Sequence, residues 1–282
     1  MKPLHWRYLL LVASLGFAAL VYQYHLAPAL AQTSLNSAES FAVVGGSAVT
    51  AAGDVGTVID GDVGVAPGTS ITGFPPAVVL EPFGIHVNDD AAIAARESVN
   101  TLALALAAEG PCTPLEPELS GVTVGPGIYC FSSTANIEAN GLFTLDGPGT
   151  YIFQVGSSLT ANVGSSVILD GANPCDVFWQ VTSAATLNGV TFAGTVVAEA
   201  GVSLDVGANL TGRALAGVEG PVTMAGSNTV GGCSADAVTP PPPVPAAPIP
   251  TLSEWGLILL TGLLILAGYL KLRKSGRMQW GH

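Results

Sequence analysis

The sequence predicts a mostly β fold: a β-solenoid of short strands with one long α-helix, between an N-terminal signal peptide and a C-terminal transmembrane helix. Three observations carry that expectation. Short runs of alternating apolar residues, cut by Gly, Asn, Asp and Ser turns, fill most of the chain. Blocks of residues recur at periods in the low twenties. One stretch alone keeps the 3-and-4 spacing of a helix. With 35 Gly among 282 residues, 49% hydrophobic residues and only 10% charged ones, the chain is too apolar for disorder and too rich in Gly for an ordinary helical enzyme.

Residues 1–31 read as the signal peptide. Met1–Arg7 is a short basic region and Tyr8–Val21 an apolar one, and Ala29-Leu30-Ala31 offers a small-x-small site, so cleavage is expected after Ala31. The body, residues 32–233, is long enough for one sizeable domain. Asn88 is expected to cap its helix, with Asp89 and Asp90 in the first turn, where the helix dipole favours acids. Ala92, Ala95, Val99, Leu102 and Leu106 form the apolar stripe, and Gly110-Pro111 ends the helix.

The repeats lie mostly beyond the helix. Leu145-Asp146-Gly147 recurs 24 residues on as Leu169-Asp170-Gly171, and Tyr151–Val155 recurs 26 residues on as Val177–Val181. Thr134-Ala135-Asn136, Thr160-Ala161-Asn162 and Thr186-Leu187-Asn188 follow one another at 26, and residues 127–131 match 149–153 at 22. Imperfect periods of this length are what stacked coils produce. A β-sandwich is the competing architecture, and it leaves the aligned Thr-x-Asn triplets unexplained.

Residues 234–250 form a Pro-rich linker, with Pro240–Pro243 as a stiff extended spacer. Residues 251–282 hold an uncharged run over about 255–270, roughly 24 Å as a helix, followed by Lys271-Leu272-Arg273-Lys274, which is expected to stay cytoplasmic.

Charge placement excludes several function classes. Between residues 33 and 250 two Arg stand against nineteen acids, a net charge of −17, which repels phosphate backbones and leaves no Lys for a phosphate-cradling loop. Nucleic acid is therefore not a partner. The body has one His, His86, too few for a His-rich zinc site or a relay. Asp60 with Asp62 and Asp89 with Asp90 are the available carboxylate pairs, and turn formation and helix capping account for them. No catalytic residue, cofactor, metal or small-molecule substrate is expected. Arg213, the one basic residue among the repeats, reads as a hydrogen-bond donor between coils.

Two resemblances add to this reading. Leu35–Gly46, Gly61–Gly68, Ile71–Phe74, the helix from Asn88, and the blocks at 127–131, 177–181 and 212–216 resemble, in order, the microbial ice-binding protein family. That resemblance implies a right-handed, discontinuous solenoid with the helix packed along its side, no enzymatic activity, and a partner that is the ice/water crystal surface. Ile249-Pro250-Thr251-Leu252-Ser253-Glu254-Trp255-Gly256, then an apolar helix and a basic tail, resembles the IPTL-type C-terminal sorting signals of Gram-negative bacteria. It implies export, processing by an exosortase-like enzyme, and membrane tethering, at least transient, at the cell surface. Four Cys in an exported body allow three pairings. A similar pair in many relatives, together with closeness in sequence, points to Cys112–Cys130 and leaves Cys175–Cys233.

An ice-binding face needs small side chains repeated at the strand spacing, and Thr presents a stiff hydroxyl and methyl together. Thr134, Asn136, Thr160, Asn162, Thr186 and Asn188 are the candidates, with the Asn residues equally compatible with corner turns. Ile137, Val163 and Val190 intrude beside them, and Thr50 is expected to lie off the face. A surface adhesin or matrix protein reusing the fold without ice affinity is the alternative function.

Overall fold

The computed structural model describes residues 34–53 and 56–233. The segments expected from sequence to be a signal peptide, a linker and a sorting signal with an apolar helix lie outside the described residues. Among the described residues no helix is long and apolar enough to cross a membrane.

Parallel strands stack into coils with three flanks. On one flank the order is Thr113–Pro114, Gly127–Phe131, Tyr151–Val155, Val177–Val181, Thr191–Ala198, Asn209–Ala216, Phe41–Gly45, Asp62–Val65 and Ile85–Val87. The stacking order is thus not the chain order: the two N-terminal coils sit beyond the C-terminal one. The helix α1, Asp90–Ala108, leads from one end of the stack to the strand at the other. A second flank carries the first halves of the two eight-residue strands, flanked by Leu142–Asp146 and Ser166–Asp170 on one side and Thr229–Gly231, Val58–Asp60 and Val78–Val79 on the other. The third flank is a separate seven-stranded sheet.

Why the coils stack is visible in their interior. Tyr129, Phe153 and Trp179 occupy equivalent rungs, with ring centroids 5.5 Å apart for the first pair and 4.1 Å for the second, both stacked. Phe143 meets Phe153 and Trp179 edge-on, and Phe192 lies 5.1 Å from Trp179. The indole Nε1 donates to the Ala193 carbonyl at 3.1 Å, so the polar atom of the indole is satisfied.

All five stripe residues of α1 are buried, and Val99, Leu102 and Leu106 pack with Phe41, Val44, Ile152, Phe178, Val197 and Leu215 in a second cluster. Arg96 pins the helix to the solenoid by donating from Nη1 to the Ala216 carbonyl at 2.8 Å. The cap falls one residue later than expected. Asn88 takes a left-handed turn at φ 48°, and Asp89 accepts the Ala92 N–H at 2.9 Å. That hydrogen bond, with His86 beside it, holds the Asp89 carboxyl below its ordinary value.

Arg213 is 3% exposed, and burial pulls its guanidinium down to about 10. Its Nη2 donates to the carbonyls of Glu39 and Cys233, joining the first and last parts of the described body. Cys112 is bonded to Cys130 and Cys175 to Cys233. The second bond closes a span of 58 residues against 18 for the first. Replacing Cys175 and Cys233 together by Ala is expected to cost about 4 kcal/mol, against about 3 kcal/mol for the other pair, if loop closure in the unfolded chain dominates. Denaturant midpoints of the two double variants check this, and equal losses would show that loop length is not what matters.

Candidate functional site

The seven-stranded sheet runs in the order Ala135–Ile137, Leu159–Ala161, Ala184–Leu187, Gly201–Leu204, Val222–Met224, Ala48–Ala51 and Ser70–Thr72, all parallel. Alternation decides what each residue does. Leu159, Ala161, Ala185, Leu187, Val202, Leu204, Val222, Met224, Val49 and Ala51 point inward and are buried. Between them, one outward position per strand lines up in register: Asn136, Thr160, Thr186, Ser203, Thr223, Thr50 and Thr72.

From Thr160 to Thr72 this row holds five Thr and one Ser over roughly 24 Å at ~4.8 Å per rung. A second outward row, ~6.6 Å away along the strands, is made of Thr134, Ser158, Ala184, Gly201, Pro221, Ala48 and Ser70. Gly201 is needed there: at φ 122° it sits where a Cβ would lie 2.6 Å from the Pro221 carbonyl oxygen. No side chain in either row is larger than Thr, Asn or Pro. No Lys or Arg is present on the face, because both arginines of the body are buried elsewhere.

The hydroxyls of Thr160, Thr186, Ser203 and Thr223 make no hydrogen bond within the described residues, whereas Thr72 Oγ1 donates to Thr50 Oγ1 at 3.4 Å. Neighbours in the row hold Thr160, Thr186, Thr223 and Thr50 half-buried, and β-branching leaves them few χ1 states. The result is a regular array of stiff methyl and hydroxyl groups, most of them with free hydrogen-bonding capacity.

The sequence-derived candidates divide. Thr160 and Thr186 lie in the row, paired with each other. Asn136 lies in it too, paired with Thr160, which places Thr134 on the same face but in the other row, beside Ser158. The 26-residue alignment of the first triplet is therefore two residues out; the structural offset there is 24, as it is for residues 127–131, which pair with 151–155 rather than 149–153. Asn162 and Asn188 follow the strands at the corners. Asn162 donates to the Ile137 carbonyl at 2.9 Å and to Asn136 Oδ1 at 3.0 Å. Ile137 and Val190 do not intrude, being buried, while Val163 is exposed at a corner. Thr50 is in the row, contrary to expectation.

Ser203, Thr223, Thr50 and Thr72 are the members that sequence reasoning misses. The signal for them is a tripeptide of small, apolar, then hydroxyl residue: Ser158-Leu159-Thr160, Ala184-Ala185-Thr186, Gly201-Val202-Ser203, Pro221-Val222-Thr223, Ala48-Val49-Thr50 and Ser70-Ile71-Thr72. Elsewhere, the carboxylates are engaged with backbone: Asp62 accepts the Gly84 N–H and Asp89 caps α1. Among the described residues no group of three His, Cys, Asp or Glu side chains is placed to hold a metal.

A parallel β-solenoid with one helix alongside and one in-register, hydroxyl-bearing sheet defines the class of protein. Residues 43–230 match the family model described as ice-binding-like, and residues 247–274 match the IPTL-CTERM motif. The chain belongs to the ice-binding-like family. An ice-binding protein of Nostoc sp. (strain HG1) is 36% identical over 231 residues, 79% of this chain and 82% of that protein. One from Flavobacterium frigoris (strain PS1) is 30% identical over 208 residues, 65% of this chain and 71% of that one. Among solved structures, an ice binding protein from an Antarctic biological consortium superposes with a TM-score of 0.66 at 37% identity, over 71% of this chain and 90% of its own. That of the ascomycete Antarctomyces psychrotrophicus gives 0.64 at 33%, over 72% and 98%.

Proposed function

We propose that this protein is an exported, non-enzymatic ice-binding protein that contacts ice through the seven-stranded sheet. The observation that carries the reading is the in-register hydroxyl row from Thr160 to Thr72. A single contact to frozen water is weak, so binding must come from many equivalent contacts made at once. Parallel stacking supplies the equivalence, since every rung repeats the same geometry. The recombinant body, residues 33–233, is expected to shape ice crystals and to inhibit recrystallisation; a folded body with neither activity refutes the proposal.

Presentation at the cell surface, through an exosortase-like sorting enzyme and a transient C-terminal anchor, is the second part of the proposal. It is supported by the IPTL-CTERM match over residues 247–274. Replacing Pro250-Thr251 by Ala-Ala, with the apolar run intact, is expected to leave full-length protein in the inner membrane. Unchanged size and location in a fractionation experiment would show that the motif carries no sorting information.

A further inference from the structure

One side-chain ladder lies at the end of the hydroxyl row and is not part of it. Glu118 makes an isolated parallel bridge with Asn136, so it occupies the position that a next rung of the row would take. Its carboxylate bridges its own coil and the next one. Oε1 accepts the Ser120 N–H at 2.8 Å and the Glu138 N–H at 3.3 Å, and Oε2 accepts from Asn136 Nδ2. The other end of that amide is engaged as well, since Asn136 Oδ1 accepts from Asn162 Nδ2 at 3.0 Å, and Asn162 is held in turn by the Ile137 carbonyl. Burial alone raises the Glu118 carboxyl, but the hydrogen bonds from Ser120, Asn136 and Glu138 outweigh it and keep the group below its ordinary value. The acceptor is thus an ionised carboxylate at neutral pH.

We propose that Glu118 is the positioning residue that terminates the ice-contact row: by clamping the Asn136 amide between itself and Asn162, it withdraws that rung and sets the edge of the contacting surface at Thr160. This rests on the ice-contact reading above. The physical reason is a mismatch of donors and acceptors. Each water in a frozen layer both donates and accepts, and a Thr hydroxyl can do either with a neighbour. An ionised carboxylate only accepts, and a hydrated charge cannot be laid flat against an ordered layer without losing its own solvation. Asn136, with its NH2 turned to Glu118 and its carbonyl to Asn162, has a fixed polarity that the next water layer must obey. The row therefore ends before the strands do.

Removing only one part of the clamp does not open the rung. With Asn136→Thr the carboxylate still stands beside the new hydroxyl and accepts its hydrogen bond. With Glu118→Gln the neutral amide still engages Ser120 or Asn136. Both changes together put a threonine hydroxyl beside a neutral group, and the row gains a rung. Ice-recrystallisation inhibition is expected to improve about twofold in the double variant and in neither single variant, a non-additive outcome expected of residues in one hydrogen-bond network. An independent readout does not involve ice. In the wild type one side-chain N–H of Asn136 is expected to be shifted downfield and slow to exchange in NMR spectra, and Glu118→Ala, which leaves no acceptor, is expected to remove both features.

Unchanged Asn136 amide resonances in Glu118→Ala would show that no clamp exists. An ice-active wild type whose double variant gains nothing would overturn the terminating role while leaving the face intact. Loss of activity in Asn136→Thr would show that Asn136 itself touches ice. A wild-type body without ice activity removes the ice-contact reading and the role of Glu118 with it, whereas the NMR result still reports on the clamp.

Discussion

Thr223→Lys is expected to abolish ice shaping while shifting stability by no more than ~0.5 kcal/mol, the usual range for an outward-facing substitution. Thr223 stands between Ser203 and Thr50 near the middle of the row, so a long hydrated ammonium there lifts the water layer away from rungs on both sides. Deleting a single hydroxyl removes one contact of many; a lysine removes the flatness on which all of them depend. Thr50→Lys is expected to be equally damaging, although it lies 173 residues earlier in the chain, because the two are paired across adjacent strands. Thr191→Lys is the control: exposed on a different flank, it is expected to retain full activity. Thermal hysteresis and crystal habit, read beside circular-dichroism melts, check all three. A folded, fully active Thr223→Lys would move the contacting surface to another flank, and loss of activity in Thr191→Lys would identify which.

Trp179→Ala has the largest expected effect on stability. Trp179 is fully buried and packs against Phe153, Phe143 and Phe192. Truncating a buried Trp removes its contacts and leaves a cavity, about 3–5 kcal/mol in comparable sites. The Ala193 carbonyl loses its donor at the same time, a further ~1–3 kcal/mol if water does not reach it. Set against a total stability of roughly 5–15 kcal/mol, the variant is expected to lose a large share of its stability. Trp179→Phe keeps a ring in the stack and is expected to be milder. Denaturant unfolding monitored by circular dichroism decides it. A loss below about 1 kcal/mol, within the reach of ordinary surface changes, would mean that the coils re-pack around the gap and that the aromatic stack does not hold them in register.

Register is where sequence and tertiary structure part. The stripe from Ala92 to Leu106, the Gly-cut strands and the recurrence in the low twenties are all legible, because they are local: each follows from the pitch of a helix or the alternation of a strand. The absence of basic residues from the outward rows is legible for the same reason, since there is no Lys in the body to place. What sequence does not separate is an offset of 24 from one of 22 or 26. A slip of one residue turns a strand inside out, but a slip of two restores the same faces, so every alternation pattern survives it. Aligning Thr134 with Thr160 therefore looks as good as aligning Asn136 with Thr160. The choice between them belongs to contacts distant in sequence, such as Tyr129 on Phe153 and the Asn162 amide on Ile137.

Coil order lies further out of reach. Nothing local to Ala48-Val49-Thr50 says that it stacks on Pro221-Val222-Thr223, and the separation in sequence hides the continuity of the row. The stacking follows from where α1 carries the chain, and from Arg213 holding Glu39 and Cys233 together. By itself the sequence determined the helix, the alternation within each strand and the lack of Lys in the body, and it pointed to Thr160 and Thr186 but not to Ser203, Thr223, Thr50 or Thr72. Only the tertiary structure decided which outward residues are neighbours, because the hydroxyl row is made of pairings between strands, and those are settled by packing in the core rather than by the pattern along any one strand.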